Sequence, residues 1–451
     1  MNIPLLTEEL LKNTTGRCPV CHSACPAEVW KSVEGGKSRV FLRRTCPEHG
    51  ETSNCISSDA RFYWLAQGDP QNACCGGNAC CAGEGGAPGT LGRNAVAPKG
   101  DAPFEKLATC LALIEIVNSC NLACPTCYAD SQVGTGAKIE APPLEDLKRR
   151  IEGVIERKGG IEILQLSGGE PTLHPEFFEL LEWALAHEKI DYVLLNTNGV
   201  RIATDEAFAS RLEKTFRYGG MQLYLQFDGV QAEGQVYLRG GDLREMRMLA
   251  IERCGAMNLP VTLAMTVTPD NLPHLWEAIE FGLKCKHVRG VAFQPMFGSG
   301  RRPQRSTRLN TADIILGAVG QSGGRLKFED FTPLPCGDPN CATIGYLLKT
   351  PLGVRSISDF INFAEVQGFL RDKVRYSLDD LAKCGCENQP LGDLLKKFEM
   401  DETHTFRLFI KPFMDAWSWD EDRIDRCCTH VIRPDGKLDS FCRYYSGFAG
   451  K

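Results

Sequence analysis

The chain has 451 residues, 43% of them apolar, a formal net charge of −6 and 22 cysteines. Such a length supports two or three domains with a substantial core, and the charge balance gives no electrostatic case for a nucleic-acid partner. No apolar run is long enough to span a bilayer, and residues 1–17 lack the basic and apolar segments of an export signal, so the expected location is the cytoplasm.

In a reducing compartment, so many thiols at spacings of a few residues point to metal ligation rather than to disulfides. Residues 1–60 open with Cys18-Pro19-Val20-Cys21, then Cys25, then Cys46-Pro47-Glu48-His49-Gly50 with Cys55 beyond. Two thiol-bearing knuckles flanking a strand-like stretch, 29–42, have the layout of a zinc ribbon or a rubredoxin-type iron site. Cys18, Cys21 and Cys46 are the expected ligands of a mononuclear iron or zinc, with His49 and Cys55 competing for the fourth place. Residues 61–105 form a linker rich in Gly, Ala and Pro that carries Cys74-Cys75 and Cys80-Cys81. Thiols packed so closely either help to hold an auxiliary cluster or form an accessory thiol site.

The middle region, 106–325, alternates strand-like and helix-like stretches. Its first apolar branched run, 111–117, leads into Ser119-Cys120-Asn121-Leu122-Ala123-Cys124-Pro125-Thr126-Cys127-Tyr128. A C-x3-C-x2-C loop supplies three thiolates where an iron-sulfur cube takes four, which leaves one metal open to a substrate or cofactor. A helix follows, with Leu144, Leu147, Ile151, Val154 and Ile155 on one face and Gly159-Gly160 to end it. The next strand, 161–166, runs into Ser167-Gly168-Gly169-Glu170-Pro171-Thr172, where two glycines admit a close backbone approach and Glu170 offers a carboxylate.

Further strands are expected at 192–196, 222–227, 261–267 and 291–294, with helices near 175–187, 206–215, 243–256 and 273–285. Six such units predict a partial (β/α)6 barrel of the TIM type, with ligands at the carboxyl ends of the strands. The polar residues at those ends, among them Asn198, Gln226, Asp228, Thr266 and Gln294, stand where a ribose or adenine would find hydrogen-bond partners.

Beyond 325 the chain turns to loops and short helices with scattered thiols: Cys336 and Cys341, Cys384 and Cys386, Cys427 and Cys428, then Cys442. Residues 326–451 therefore read as a region assembling auxiliary iron-sulfur clusters from distant loops, or as a loop-rich region stapled by metal. Pro434-Asp435-Gly436 is a turn that would return Cys442 towards the Cys427-Cys428 pair. Cys110, Cys254 and Cys285 have no close thiol partner in sequence and are expected in the core.

Three cysteines ending one strand and Gly-Gly-Glu-Pro ending the next resemble the radical S-adenosylmethionine superfamily. The resemblance implies that Cys120, Cys124 and Cys127 hold a [4Fe-4S] cluster, that S-adenosyl-L-methionine chelates its free iron, and that Gly168, Gly169, Glu170 and Pro171 form the loop that holds the methionyl end. A reductant such as ferredoxin or flavodoxin follows from it. The Cys-Cys-x-His, Pro-Asp-Gly and Phe-Cys sequence of the tail resembles the tetraether lipid synthase branch, as do Cys46-Pro47-Glu48-His49-Gly50, Gln226-Phe227-Asp228-Gly229, Arg239-Gly240-Gly241-Asp242 and Phe293-Gln294-Pro295. That branch carries a rubredoxin-like iron and auxiliary [4Fe-4S] clusters and joins lipid tails through a carbon-carbon bond. It implies a lipid or other apolar substrate, a peripheral contact with a membrane surface, and a long apolar tunnel in the barrel. Two other readings stand beside it: a peptide-modifying maturase, against which the tail lacks a C-x2-C-x5-C run, and a methyl-type transferase acting on a small molecule.

Overall fold

The computed structural model describes residues 7–65, 107, 109–217, 219–301, 307–334, 337–350, 352–360 and 402–447. Cys74, Cys75, Cys80, Cys81, Cys336, Cys384 and Cys386 lie outside the described residues.

The first unit is an antiparallel meander of β1 (Thr7–Arg17), β2 (Ala24–Glu34), β3 (Lys37–Cys46) and β4 (Gly50–Ser57). The stretch expected as one strand over 29–42 is two, because Gly35 and Gly36 adopt φ of 57° and 77° and fold the chain back so that Val29 faces Leu42. Ala27, Val29, Val40 and Leu42 form its small core. Lys12 pairs with Asp420 at 2.7 Å, Thr14 donates to the same carboxylate at 2.7 Å, and buried Arg44 donates to the Ala416 carbonyl, so the meander docks on a segment near the C-terminus.

Next come β5 (Leu111–Val117), α1 (Leu144–Lys158), β6 (Leu164–Gly168), α2 (Phe177–Ala186), β7 (Val193–Thr197), α3 (Glu206–Phe216), β8 (Met221–Gln226), α4 (Arg244–Ala256), β9 (Val261–Val267), α5 (Leu275–Lys284) and β10 (Val288–Pro295). The six strands are parallel neighbours in the order β10-β9-β8-β7-β6-β5, which is the expected partial barrel. In α1 the apolar positions recur every three or four residues, so Leu144, Leu147, Ile151, Val154 and Ile155 bury together. Each contributes about 1.5–3 kcal/mol. Glu145 and Asp146 begin α1, Arg157 and Lys158 end it, and Gly159 at φ 98° supplies the left-handed residue that stops it.

The sheet does not end at β10. Beyond α6 (Thr311–Gln321), β11 (Thr343–Thr350) pairs antiparallel with β12 (Thr405–Ile410), and β12 lies parallel to β10. At the other edge β13 (Thr429–Ile432) lies parallel to β5 and pairs with β14 (Leu438–Ser440), which leads into α7 (Phe441–Ser446). The Pro434-Asp435-Gly436 turn joins β13 to β14 as expected, with Gly436 at φ 80°. Both free edges of the six-stranded arc are thereby covered, which removes exposed ladder groups. Among the described residues no helix is long and apolar enough to cross a membrane.

Candidate active site and metal-binding clusters

The cysteine loop follows β5 and the Gly-Gly-Glu loop follows β6, and the two lie against each other. Side-chain atoms could not fit between them: a Cβ on Gly169 would stand 2.1 Å from the Ser119 carbonyl oxygen, and one on Gly168 would stand 2.3 Å from that of Val117. Backbone bonds seal the contact, Gly169 N to Val117 O at 2.8 Å and Glu170 N to Ser119 O at 3.0 Å. Cys120, Cys124 and Cys127 face one cavity together with Gly168, Gly169, Glu170, Asn198 and Gln226. Cys120 and Cys124 are buried, and burial pushes the Cys120 thiol up to about 12. A thiol so reluctant to ionise alone becomes a thiolate when a metal offers it a bond, so three soft donors beside a glycine cradle fit an iron-sulfur cluster.

Glu170 is fully buried, and its carboxylate is a brace. It accepts from Thr172 N at 3.2 Å, Thr172 Oγ1 at 2.7 Å, Thr197 Oγ1 at 2.6 Å and Asn198 N at 2.8 Å, tying the loops after β6 and β7 together. Asn198 in turn donates to Asn121 at 2.7 Å, beside Cys120. Pro171 begins a short turn, Pro171–Leu173, and does not line the cavity. Asp228 does not line it either, in contrast to its expected place beside a ribose or adenine. At φ 61° its buried side chain turns back to accept from Thr266 N at 3.0 Å and to pair with Arg239 at 2.7 Å and Arg247 at 3.0 Å.

Arg239 is the residue that motif spacing did not single out. It lines the cavity, bonds Asp228 through two nitrogens, donates to Thr266 Oγ1 at 3.0 Å and stands against the Cys124 thiol. Burial works against its charge, yet Asp228 and Cys124 hold its guanidinium above the ordinary value. A fixed cation beside Cys124 favours the thiolate that a cluster needs. The only hint in sequence was its place in Arg239-Gly240-Gly241-Asp242, which says nothing of a partner 115 residues earlier.

The cavity, about 310 Å³, runs down the barrel. On β8 the inward residues are Gln222, Tyr224 and Gln226, while Leu223 and Leu225 pack outward against helices, so alternation delivers amides to the interior. Gln165, Asn196 and Gln294 add three more carboxamides from β6, β7 and β10. Phe297, Phe413 and Phe441 also line it; the last two are stacked at 4.1 Å between ring centres, and Phe297 and Phe441 pack against Tyr128 of the cysteine loop.

In the N-terminal meander the sulfur and nitrogen donors of Cys18, Cys21, Cys46 and His49 lie within 4.8 Å of one another. Of the two candidates for a fourth donor, it is His49 that stands with the three cysteines. Cys55 is excluded because it sits opposite Phe41 on β4, away from the knuckles, and donates to the Ser57 carbonyl at 3.3 Å. Against burial, the backbone N–H groups of Cys21 and Val20 bring the Cys18 thiol down to about 7, ready to release its proton to a metal.

Towards the C-terminus, Cys427 lies close to Cys341, Cys428 and Cys442, across as many as 86 residues of sequence. Cys442 is pushed up to about 11 by burial and accepts from Met414 N at 3.3 Å, while Arg423 approaches Cys341 at 3.8 Å. Cys428 also lines the barrel cavity. Cys254 is in the core and Cys285 packs beside it, as expected, but Cys110 is not a core residue. It lines the cavity next to Cys428, whose carbonyl accepts its backbone N–H at 2.9 Å.

A metal loop short of one thiolate, set at the carboxyl ends of a parallel barrel beside a glycine cradle, defines a class, and the family model described as the radical SAM superfamily matches residues 114–282. The match covers most of the barrel, and the chain is a radical SAM enzyme. Residues 10–58 match the model described as the HMPTM N-terminal zinc ribbon domain. Over 96% of its length the chain is similar, at 26% identity, to the 7,8-dihydro-6-hydroxymethylpterin dimethyltransferase of Methanocaldococcus jannaschii, covering 93% of that protein. It is 31% identical to a mycofactocin maturase of Mycobacterium tuberculosis over 36% of this chain and 39% of the other. A solved structure of Streptococcus suis SuiB bound to S-adenosylmethionine superposes with a TM-score of 0.34, at 16% identity, over 44% of this chain and 42% of that one.

Proposed function

We propose that the protein is a radical SAM methyl-type transferase whose substrate is a small, flat, hydrogen-bonding heterocycle of the pterin kind. The observation that carries this is the cavity lining, which combines the carboxamides of Gln165, Asn196, Gln222 and Gln294 with the aromatic rings of Phe297, Phe413 and Phe441. Amides offer paired donors and acceptors to the edge of a lactam ring, and aromatic faces stack on its plane. The cavity, about 310 Å³, is at the small end of ligand sites, which run from about 300 to 1,000 Å³, and it also takes in the cysteine and glycine loops, so the share left to a substrate is small. Similarity along nearly the whole chain to a protein named as a pterin dimethyltransferase supports the same reading.

Cys120, Cys124 and Cys127 would hold the [4Fe-4S] cluster, which when bound supplies the electron that cleaves S-adenosylmethionine to a 5′-deoxyadenosyl radical. The protein's part is positional. Arg239 offsets thiolate charge, Gly168 and Gly169 leave backbone open to the methionyl end, and Asn198, Gln226 and Thr266 offer polar groups at the strand ends. Glu170 keeps those loops in register, and the surrounding barrel excludes water from a reactive species. Cys341, Cys427, Cys428 and Cys442 would hold an auxiliary cluster, and Cys18, Cys21, Cys46 and His49 a zinc. A ferredoxin or flavodoxin reductant and a cytoplasmic location complete the reading.

Carbon-carbon joining of a lipid, with a peripheral membrane contact, draws on the apolar lining of Leu111, Leu113, Val291, Ile344 and Phe409. It sets an apolar chain against the carboxamides of Gln165, Asn196, Gln222 and Gln294. The likeness to a mycofactocin maturase covers 36% of the chain, against 96% for the pterin dimethyltransferase.

The test is anaerobic incubation of reconstituted protein with S-adenosylmethionine, reductant and 7,8-dihydro-6-hydroxymethylpterin, followed by mass spectrometry. The expected result is a pterin gaining methyl mass, with 5′-deoxyadenosine formed about tenfold or more above the pterin-free rate. Deoxyadenosine formation that ignores the pterin, with no methylated product, overturns the proposal.

A further inference from the structure

Four charged side chains line the barrel cavity: Glu170, Arg239, Arg407 and Lys411. Three are occupied. Glu170 accepts four hydrogen bonds, Arg239 is forked onto Asp228, and Lys411 Nζ donates to Thr429 Oγ1 at 2.9 Å. Arg407 has no hydrogen-bond or ion-pair acceptor among the described residues. A guanidinium carries five donors and keeps its charge at any physiological pH, so one left unpaired in a cavity is available to an anion.

Its position says how far that ligand must reach. Arg407 is on β12 in register with Gly290 of β10, and Gly290 is in register with Thr262 of β9. A Cβ on Gly290 would meet the Arg407 backbone at 2.3 Å and its Cβ at 2.9 Å, so glycine is what allows the strands to close there. With no side chain between them, Arg407 and Thr262 face the same cavity, and Gln222 donates to the Thr262 hydroxyl. Thr266, bonded to Arg239 at the cluster end, lies four residues above Thr262 on one strand. At about 3.3 Å per residue that is roughly 13 Å, about the length of a fused two-ring heterocycle with a short arm.

We infer that the barrel floor, built by Arg407 with Thr262 and Gln222, binds an anionic group, a carboxylate or a phosphate, carried by the substrate on the side away from the reacting carbon. The inference rests on the heterocycle reading above. Among the described residues no carboxylate competes at the floor: Glu170, the one acidic residue among them that lines the cavity, is at the opposite end.

The experiment measures ligand affinity by calorimetry under anaerobic conditions, using the full chain loaded with metal and S-adenosylmethionine. Its probes are 6-hydroxymethylpterin, pterin-6-carboxylate and 6-hydroxymethylpterin phosphate. Wild type is expected to bind at least one anionic pterin about 10- to 100-fold more tightly than the neutral one. Arg407→Gln removes that preference, and Arg407→Lys, which keeps a cation without the fork, restores part of it. Preference for the phosphate alone assigns the longer arm, and preference for the carboxylate alone assigns the shorter. Equal binding of neutral and anionic pterins by wild type overturns the anion subsite and leaves the heterocycle reading standing. Failure to bind any pterin, with S-adenosylmethionine cleavage intact, overturns both.

Discussion

At the carboxyl ends of the barrel strands the reactive groups come from loops: Cys120, Cys124 and Cys127 after β5, Gly168 to Glu170 after β6, Asn198 after β7. At the opposite end Gln222, Thr262 and Arg407 project from strand interiors. Loops can be rewritten without disturbing a sheet, so short motifs accumulate there and chemistry is readable from spacing. A strand residue is bound by alternation and register, and what it does depends on which neighbour the sheet gives it. On the proposed reading, the upper end makes the radical and the floor selects what meets it.

The comparison breaks most sharply at the upper end. Replacing Cys120, Cys124 and Cys127 together by alanine is expected to remove one cube's worth of iron and sulfide, about four of each, and to abolish reductive cleavage of S-adenosylmethionine. Zinc at the ribbon is expected to stay, because its ligands are separate in sequence and space. Iron, sulfide and zinc quantification reads all three, and retained cleavage would remove the site assignment.

Next in size is Arg239→Gln, which leaves the buried Asp228 carboxylate with Arg247 alone. Breaking a buried pair costs about 3–5 kcal/mol. The surviving Arg247 puts the expected loss at the lower end, read as a shift in the denaturation midpoint. A loss below about 1 kcal/mol would mean that Arg239 is only a surface-like partner.

The smallest effect is outside the cavity, at the amino-terminal end of β10. Burial, then the neighbouring Arg289, lower Lys349 to about 8, and its ammonium donates to the Cys285 and Val288 carbonyls where the chain enters β10. Between about pH 8 and the ordinary lysine value, the unfolded chain binds the extra proton, so stability rises with pH across that window. Below about 8 the buried charge is a cost. Lys349→Met is expected to flatten the rise, so that the difference in melting temperature between variant and wild type changes between pH 7 and pH 10. A constant difference would show that Lys349 titrates normally.

Much of this architecture is legible in sequence because it is local. The six barrel strands fall where branched apolar runs alternate with amphipathic stretches, and β5 and β9 match the expected 111–117 and 261–267 to the residue. Two sulfur-rich knuckles announce the ribbon, but spacing could not choose between His49 and Cys55 because the register of β4 against β3 decides it. Asp228 reads like a ligand-facing strand end, and one backbone conformation with φ of 61° turns it towards two arginines instead.

What the sequence by itself determined is the parallel barrel and the three-thiol loop beside a glycine cradle, since each depends on residues a few positions apart. Only the tertiary structure decided that Cys341 joins Cys427, Cys428 and Cys442, that Arg239 stands on Cys124, and that Arg407 lines the same cavity as the cysteine loop. These pairings cross tens to hundreds of residues, and strand register and close packing, which no local pattern encodes, bring their partners together.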